Sequence, residues 1–125
     1  MAGFVLGPGD GAAYGFHGSL AVIKASGEHT SGQLGVIEAT YPAGLQVHEH
    51  VHDGEDEMFY LLGGELEGTC GGERWTARPG CFVFVPRNTL HTLAVAGAGP
   101  ATALVITGPS QLDRQIAARA EPLPW

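Results

Sequence analysis

Short stretches of alternating apolar and polar residues, closed every few positions by glycine or proline, fill most of this chain. Residues 20–25 and 34–41 read as two strands joined by the polar loop 26–33, and Pro42-Ala43-Gly44 breaks the pattern after them. Residues 58–62 are apolar and end at Gly63-Gly64, while 65–70 and 73–77 flank Gly71-Gly72, a two-residue hairpin signal. Residues 81–85 are strand formers stopped by Pro86-Arg87-Asn88, and 90–96 and 102–107 follow, separated by 97–101. The glycine-rich residues 1–19 predict an irregular segment with a short strand at 4–6. Only the C-terminus has a helical period. Ser110 and Asp113 fit a capping box, Leu112, Ile116 and Ala120 share a stripe, and Pro122 and Pro124 end it. Such a helix is expected to pack on the strands or on a partner subunit. Roughly ten short strands with tight turns predict an all-β sandwich or barrel. With no repeat, linker or low-complexity stretch, residues 1–125 are expected to form a single domain.

Composition narrows the function classes. Hydrophobic residues make up 44% of the chain, enough for a core without disulfides. The formal net charge is −7, and the basic residues Lys24, Arg74, Arg78, Arg87, Arg114 and Arg119 are dispersed. Nucleic acid and anionic membrane surfaces both call for clustered basic side chains, so neither is expected as a partner. No apolar run reaches transmembrane length, and the N-terminus lacks the basic start and apolar stretch of a signal peptide. The expected location is cytoplasmic. Cys70 and Cys81 are not in a C-x-x-C pair and are expected to be free thiols.

The chemistry concentrates at His48-Glu49-His50-Val51-His52. Residues two apart on a strand project from one face, so His48, His50 and His52 can point the same way. Glu57 precedes the apolar run 58–62 and shares a strand face with Phe59 and Leu61. If those two fill the interior, an ionised Glu57 beside them is costly unless paired, and a metal held by the nearby imidazoles would pair it. Imidazole with carboxylate suits iron, nickel, manganese, copper or zinc, and the donor types do not choose among them. A surface histidine pair beside a solvated acidic loop, with Glu49, Asp53, Glu55, Asp56 and Glu57, is the competing reading.

These residues resemble the first motif of the cupin family, G-x5-H-x-H-x4-E-x6-G, with Gly44, His50, His52, Glu57 and Gly64 in its places. Gly80, Pro86 and His91 fit the second motif, G-x5-P-x-G-x2-H-x3-N, while Asn88 stands for its glycine and Val95 for its asparagine. Asn tolerates a left-handed backbone better than most residues, and Val95 is not at a ligand position. The resemblance implies a double-stranded β-helix, the jelly-roll or cupin barrel, with a short C-terminal helix. It also implies one divalent transition metal per chain, held by His50, His52, Glu57 and His91. Four protein ligands leave octahedral positions open, as a catalytic metal requires. His48 lies outside the motif and is expected at the rim, with a substrate contact as its alternative role. Cys81 is expected in the core.

The stretches around both motifs resemble small single-domain cupins akin to quercetin dioxygenases. That resemblance implies a metal-dependent dioxygenase acting on a small aromatic or enol substrate, with O2 as co-substrate and Glu57 doubling as catalytic base. Met58, Phe59, Leu61, Phe82, Phe84 and Leu93 are candidates for an apolar substrate pocket, with His48 at its edge. Strand alternation lets only about half of them face it. The alternatives are a non-redox isomerase or polyketide cyclase using the metal as Lewis acid, and a small-molecule binding module without turnover. The complete ligand set disfavours the last, and the lack of a basic cluster near the motifs disfavours phosphate or polycarboxylate substrates. Exposed edge strands favour pairing with a second copy, so a homodimer is expected.

Overall fold

The structure, a computed structural model, describes residues 3–119 and 121–122. Among them the strands are β1 (Ala12–Phe16), β2 (Ser19–Ala25), β3 (Gly35–Tyr41), β4 (Gln46–His50), β5 (Asp56–Gly63) and β6 (Glu65–Cys70). They continue with β7 (Glu73–Ala77), β8 (Phe82–Val85), β9 (His91–Ala96), β10 (Ala101–Gly108) and β11 (Glu121–Pro122), with the helix α1 (Leu112–Arg119) before β11. Two antiparallel sheets face each other, one ordered β11-β1-β2-β3-β10-β5-β8 and the other β4-β9-β6-β7. This is the cupin arrangement that the motifs imply.

Alternation explains the packing. Ile37 and Ala39 on β3, Phe59 and Leu61 on β5, and Ala103 and Val105 on β10 face Leu66 on β6 and Leu93 and Val95 on β9. Leu61 and Leu66 are each 1% exposed, and cutting either to Ala is expected to cost about 2–5 kcal/mol. The Gly71-Gly72 hairpin forms as its sequence predicts, with φ of 57° and 84° between Cys70 and Glu73. Cys70 and Cys81 are free, half-buried thiols.

The N-terminus differs from expectation. No strand forms at 4–6, where Phe4, Val5 and Leu6 are exposed. The first strand is Ala12–Phe16, because His17 and Gly18, both at positive φ, make a two-residue hairpin onto β2. The helix starts where predicted, but its cap is different. Ser110 Oγ donates to the Asp113 carboxylate at 2.6 Å, and Gly27 N–H donates to the same group at 2.9 Å. Gly35 lies directly under Asp113, and a Cβ there would collide with the carboxylate. Ile116 is buried and Leu112 packs on the core, so α1 covers strands of its own chain. Ala120 and Pro124 lie outside the described residues, and Pro122 pairs with Tyr14 of β1.

Candidate metal centre

Four side chains converge between the sheets. His50 closes β4, His91 opens β9, and the two are cross-strand partners with ring centroids 4.1 Å apart. Glu57 comes from the opposite sheet, on the inward face of β5 with Phe59 and Leu61. His52 lies beyond the end of β4, on the way to β5. One nitrogen from each histidine and one Glu57 oxygen all lie within 4.8 Å of one another.

His48 does not join them, and the reason is a bulge. Val47 pairs with Leu93 and His50 with His91, so β4 carries one residue more than β9 over this stretch. An extra residue reverses the parity of side chains. His48 is therefore exposed at the rim, and its carbonyl oxygen lies 2.8 Å from His50 Nδ1.

Each ligand ring is oriented through its far nitrogen. His50 Nδ1 meets the His48 carbonyl, and His91 Nδ1 meets the Thr89 carbonyl at 2.9 Å. A carbonyl only accepts, so Nδ1 carries a proton in both rings, and in the neutral ring Nε2 presents a lone pair to the centre. His52 Nδ1 lies 2.8 Å from Glu55 Oε1, which has the same effect. His91 Nε2 is buried without a hydrogen-bond partner, although Glu57 Oε1 is only 3.4 Å away. His52 Nε2 lies 3.8 Å from Glu57 Oε2. Lone pairs facing a carboxylate repel unless a cation sits between them, either a metal ion or a proton on Nε2. Two atoms each about 2.0–2.2 Å from one ion lie at most about 4.4 Å apart. Both of these separations satisfy this, and the whole set, within 4.8 Å, needs only a few tenths of an ångström of contraction to do so. The donor set thus fits a divalent metal ion.

Burial lowers the pKa of His50, and the neighbouring His91 and His52 push the same way against its own backbone hydrogen bond and Glu57. The hydrogen bond that His52 donates to Glu55 raises the pKa of His52, with Glu57 and Glu55 charge adding to it against burial. Around these rings the chain is pinned. Asn88 takes φ 60° where the family motif has glycine. Its N–H donates to the His52 carbonyl, and its Oδ1 accepts from Gly54 N–H, both at 2.9 Å. Arg87 holds Asp56 through its backbone N–H at 2.8 Å and its guanidinium at 3.1 and 3.2 Å, which keeps that carboxyl below its usual range.

The converging groups sit in a cavity of about 740 Å3 whose apolar walls include Tyr41, Val47, Phe59, Leu93, Val105 and Ile116. No Lys or Arg is among the residues lining it. Phe59 and Leu93 are therefore at the cavity and His48 is at its rim. Leu61 lies in the core away from it, and Phe82 and Phe84 are 59% and 50% exposed. β8 turns Val83 and Val85 inward, which leaves its two phenylalanines on the outer face, and Met58 lies opposite Phe84 on β5.

Two residues of the site escaped the motif reading. Tyr41 ends β3 with its phenol pKa pushed up, first by burial and then by the charge of Glu57. Glu55 is 2% exposed rather than solvated. Both had a signal in strand parity: Tyr41 with Ile37 and Ala39, and Glu55 with Glu57, Phe59 and Leu61.

The profile of the cupin domain family matches residues 37–107. Over 89 residues the chain is 33% identical to quercetin 2,3-dioxygenase of Bacillus subtilis (strain 168), a match over 71% of this chain and 26% of that enzyme. The chain thus spans about a quarter of the length of the relative it matches. Among solved structures, KdgF from Halomonas sp. superposes with a TM-score of 0.76 at 18% identity, over 91% of this chain and 99% of that one. An RmlC-like cupin from Shewanella frigidimarina NCIMB 400 gives 0.74 at 16% identity, over 91% and 96%. At such identities the likeness is one of fold. The family match spans all four converging side chains, and by it this chain belongs to the cupin domain family.

Proposed function

We propose that this chain is a metal-dependent dioxygenase acting on a small aromatic or enol substrate, with Glu57 as metal ligand and base. The observation that carries this reading is a His3Glu donor set at an apolar cavity lined by no Lys or Arg. The cavity volume is in the range that takes a drug-sized ligand, about 300–1,000 Å3. Such walls suit a flat, neutral ring and offer no Lys or Arg to a phosphate or polycarboxylate. The likeness to a quercetin dioxygenase supports the same class.

A bound divalent metal supplies a Lewis acid for a substrate oxygen and a redox partner for O2. The chain's own residues do the rest. Phe59, Leu93, Val47 and Val105 exclude water and hold the ring against the donor cluster. A Glu57 carboxylate oxygen takes the proton of the substrate hydroxyl, and its place on the inward face of β5 keeps it directed at the centre. The Tyr41 phenol stays protonated and can donate a hydrogen bond to a second substrate oxygen.

The test is metal analysis followed by oxygen uptake over a panel of flavonols, catechols and enols. Substrate-dependent O2 consumption is expected. Substrate conversion without it would point to an isomerase or cyclase. Glu57→Gln, reloaded to full metal occupancy, should lose about 10²–10⁴-fold in rate. Full activity in that variant would refute the base role.

A further inference from the structure

Glu55 sits between the donor cluster and α1, with both oxygens occupied. Oε1 meets His52 Nδ1 at 2.8 Å, and Oε2 accepts from the Gln111 and Leu112 N–H groups at 2.8 and 2.7 Å. The side chain is 2% exposed and neither Lys nor Arg bonds to it, so these donors and the helix N-terminus balance its charge. His50 and His91 take their acceptors from carbonyls two residues earlier in the chain, at His48 and Thr89. His52 has left the strand, and its acceptor is a side chain three residues ahead.

We propose that Glu55 is a positioning residue for the metal centre, holding His52 in the Nδ1–H tautomer while it anchors α1. Its two oxygens serve different masters. One sets the direction of the His52 Nε2 lone pair, and the other caps the helix that brings Leu112 and Ile116 to the cavity wall. The orientation of a ligand and the seating of a wall thereby depend on one carboxylate. The inference rests on the metal reading of His50, His52, Glu57 and His91.

Glu55→Gln separates this role from a structural one. The amide oxygen of Gln can still accept from the helix N–H groups, whereas its nitrogen only donates and cannot accept from His52 Nδ1–H. The metal-free variant should melt close to wild type. Its Co(II) affinity, by equilibrium dialysis, should fall about 10–100-fold, as outer-shell losses typically do, and the Co(II) absorption bands should shift. Wild-type affinity with an unchanged spectrum would overturn the proposal. If the variant does not fold, long-range 1H–15N spectra of the metal-free wild type decide the matter. A neutral His52 protonated at Nδ1 supports the proposal, and one protonated at Nε2 overturns it. Wild-type protein that binds no Co(II) would sink the metal reading, while the spectra still report on the hold of Glu55 over His52.

Discussion

His91 Nε2 lies 3.4 Å from Glu57 Oε1, buried and with no hydrogen bond between them. Nδ1 of that ring carries a proton, so in the neutral ring the first is a lone pair, and the second is a carboxylate oxygen. Their approach is unfavourable without a cation, and this gives the metal reading a direct test. His50→Ala and His91→Ala should each purify with most of the metal lost. Added Co(II) or Ni(II) should raise the melting temperature of the wild type, since a ligand at 100 times its Kd stabilises by about 2.7 kcal/mol. The same addition should barely move the variants. Wild-type metal content in both would show the assignment to be wrong.

Asn88 provides a separate test of the frame around His52. Its φ of 60° is costly for most side chains, and its Oδ1 accepts from Gly54. Asn88→Gly keeps the backbone and loses the side-chain bond, whereas Asn88→Ala loses both. The alanine variant should be less stable than the glycine variant by about 1–2 kcal/mol in urea unfolding. Equal stabilities would show that the backbone conformation is not strained.

Tyr41 should mark the alkaline limb of stability. Burial and the charge of Glu57 raise its pKa above the ordinary phenol value. A group raised in the folded state contributes stability in full below its unfolded pKa, about 10 for Tyr, and loses it as pH rises through the folded value. Above pH 10 the wild type should therefore lose up to about 1.4 kcal/mol per pH unit through this group. Urea unfolding at several alkaline pH values checks this, since Tyr41→Phe should show a shallower decline. Parallel slopes would remove Tyr41 from the account.

A second copy of this chain is expected on the outer face of β8. Phe82 and Phe84 there, with Tyr60 and Leu62 on the adjoining β5, are each at least 45% exposed, next to a sheet edge. Edges and apolar patches of this kind are usually covered. Light scattering at micromolar concentration should give a dimer mass, and Phe82→Asp with Phe84→Asp should return a monomer. A monomeric wild type would rule the pairing out.

Much of this molecule was legible from one dimension. Strand periodicity and turn chemistry are local properties, so β2, β3, the strands from β5 to β10 and the Gly71-Gly72 hairpin follow from neighbours in sequence, whereas β4 was legible only as the alternating histidine stretch. The spacing of His50, His52, Glu57 and His91 was legible because the barrel converts fixed intervals into one meeting point. Strand 12–16 was hidden because its alanines and glycine carry no alternation, and only its pairing with β2 makes it a strand.

Tertiary structure decided what depends on a partner far along the chain. Counting in twos let His48 share the histidine face, while its place outside the motif put it at the rim, and the bulge against β9 decides for the rim. The outward side of Phe82 and Phe84 was set by which face of β8 meets the core, since alternation gives two faces without saying which is buried. Glu55 looked like one more acid in a polar loop. Its partners at Gln111 and Leu112 are more than fifty residues away, and only folding brings those N–H groups to its carboxylate, where their hydrogen bonds offset the cost of burying the charge.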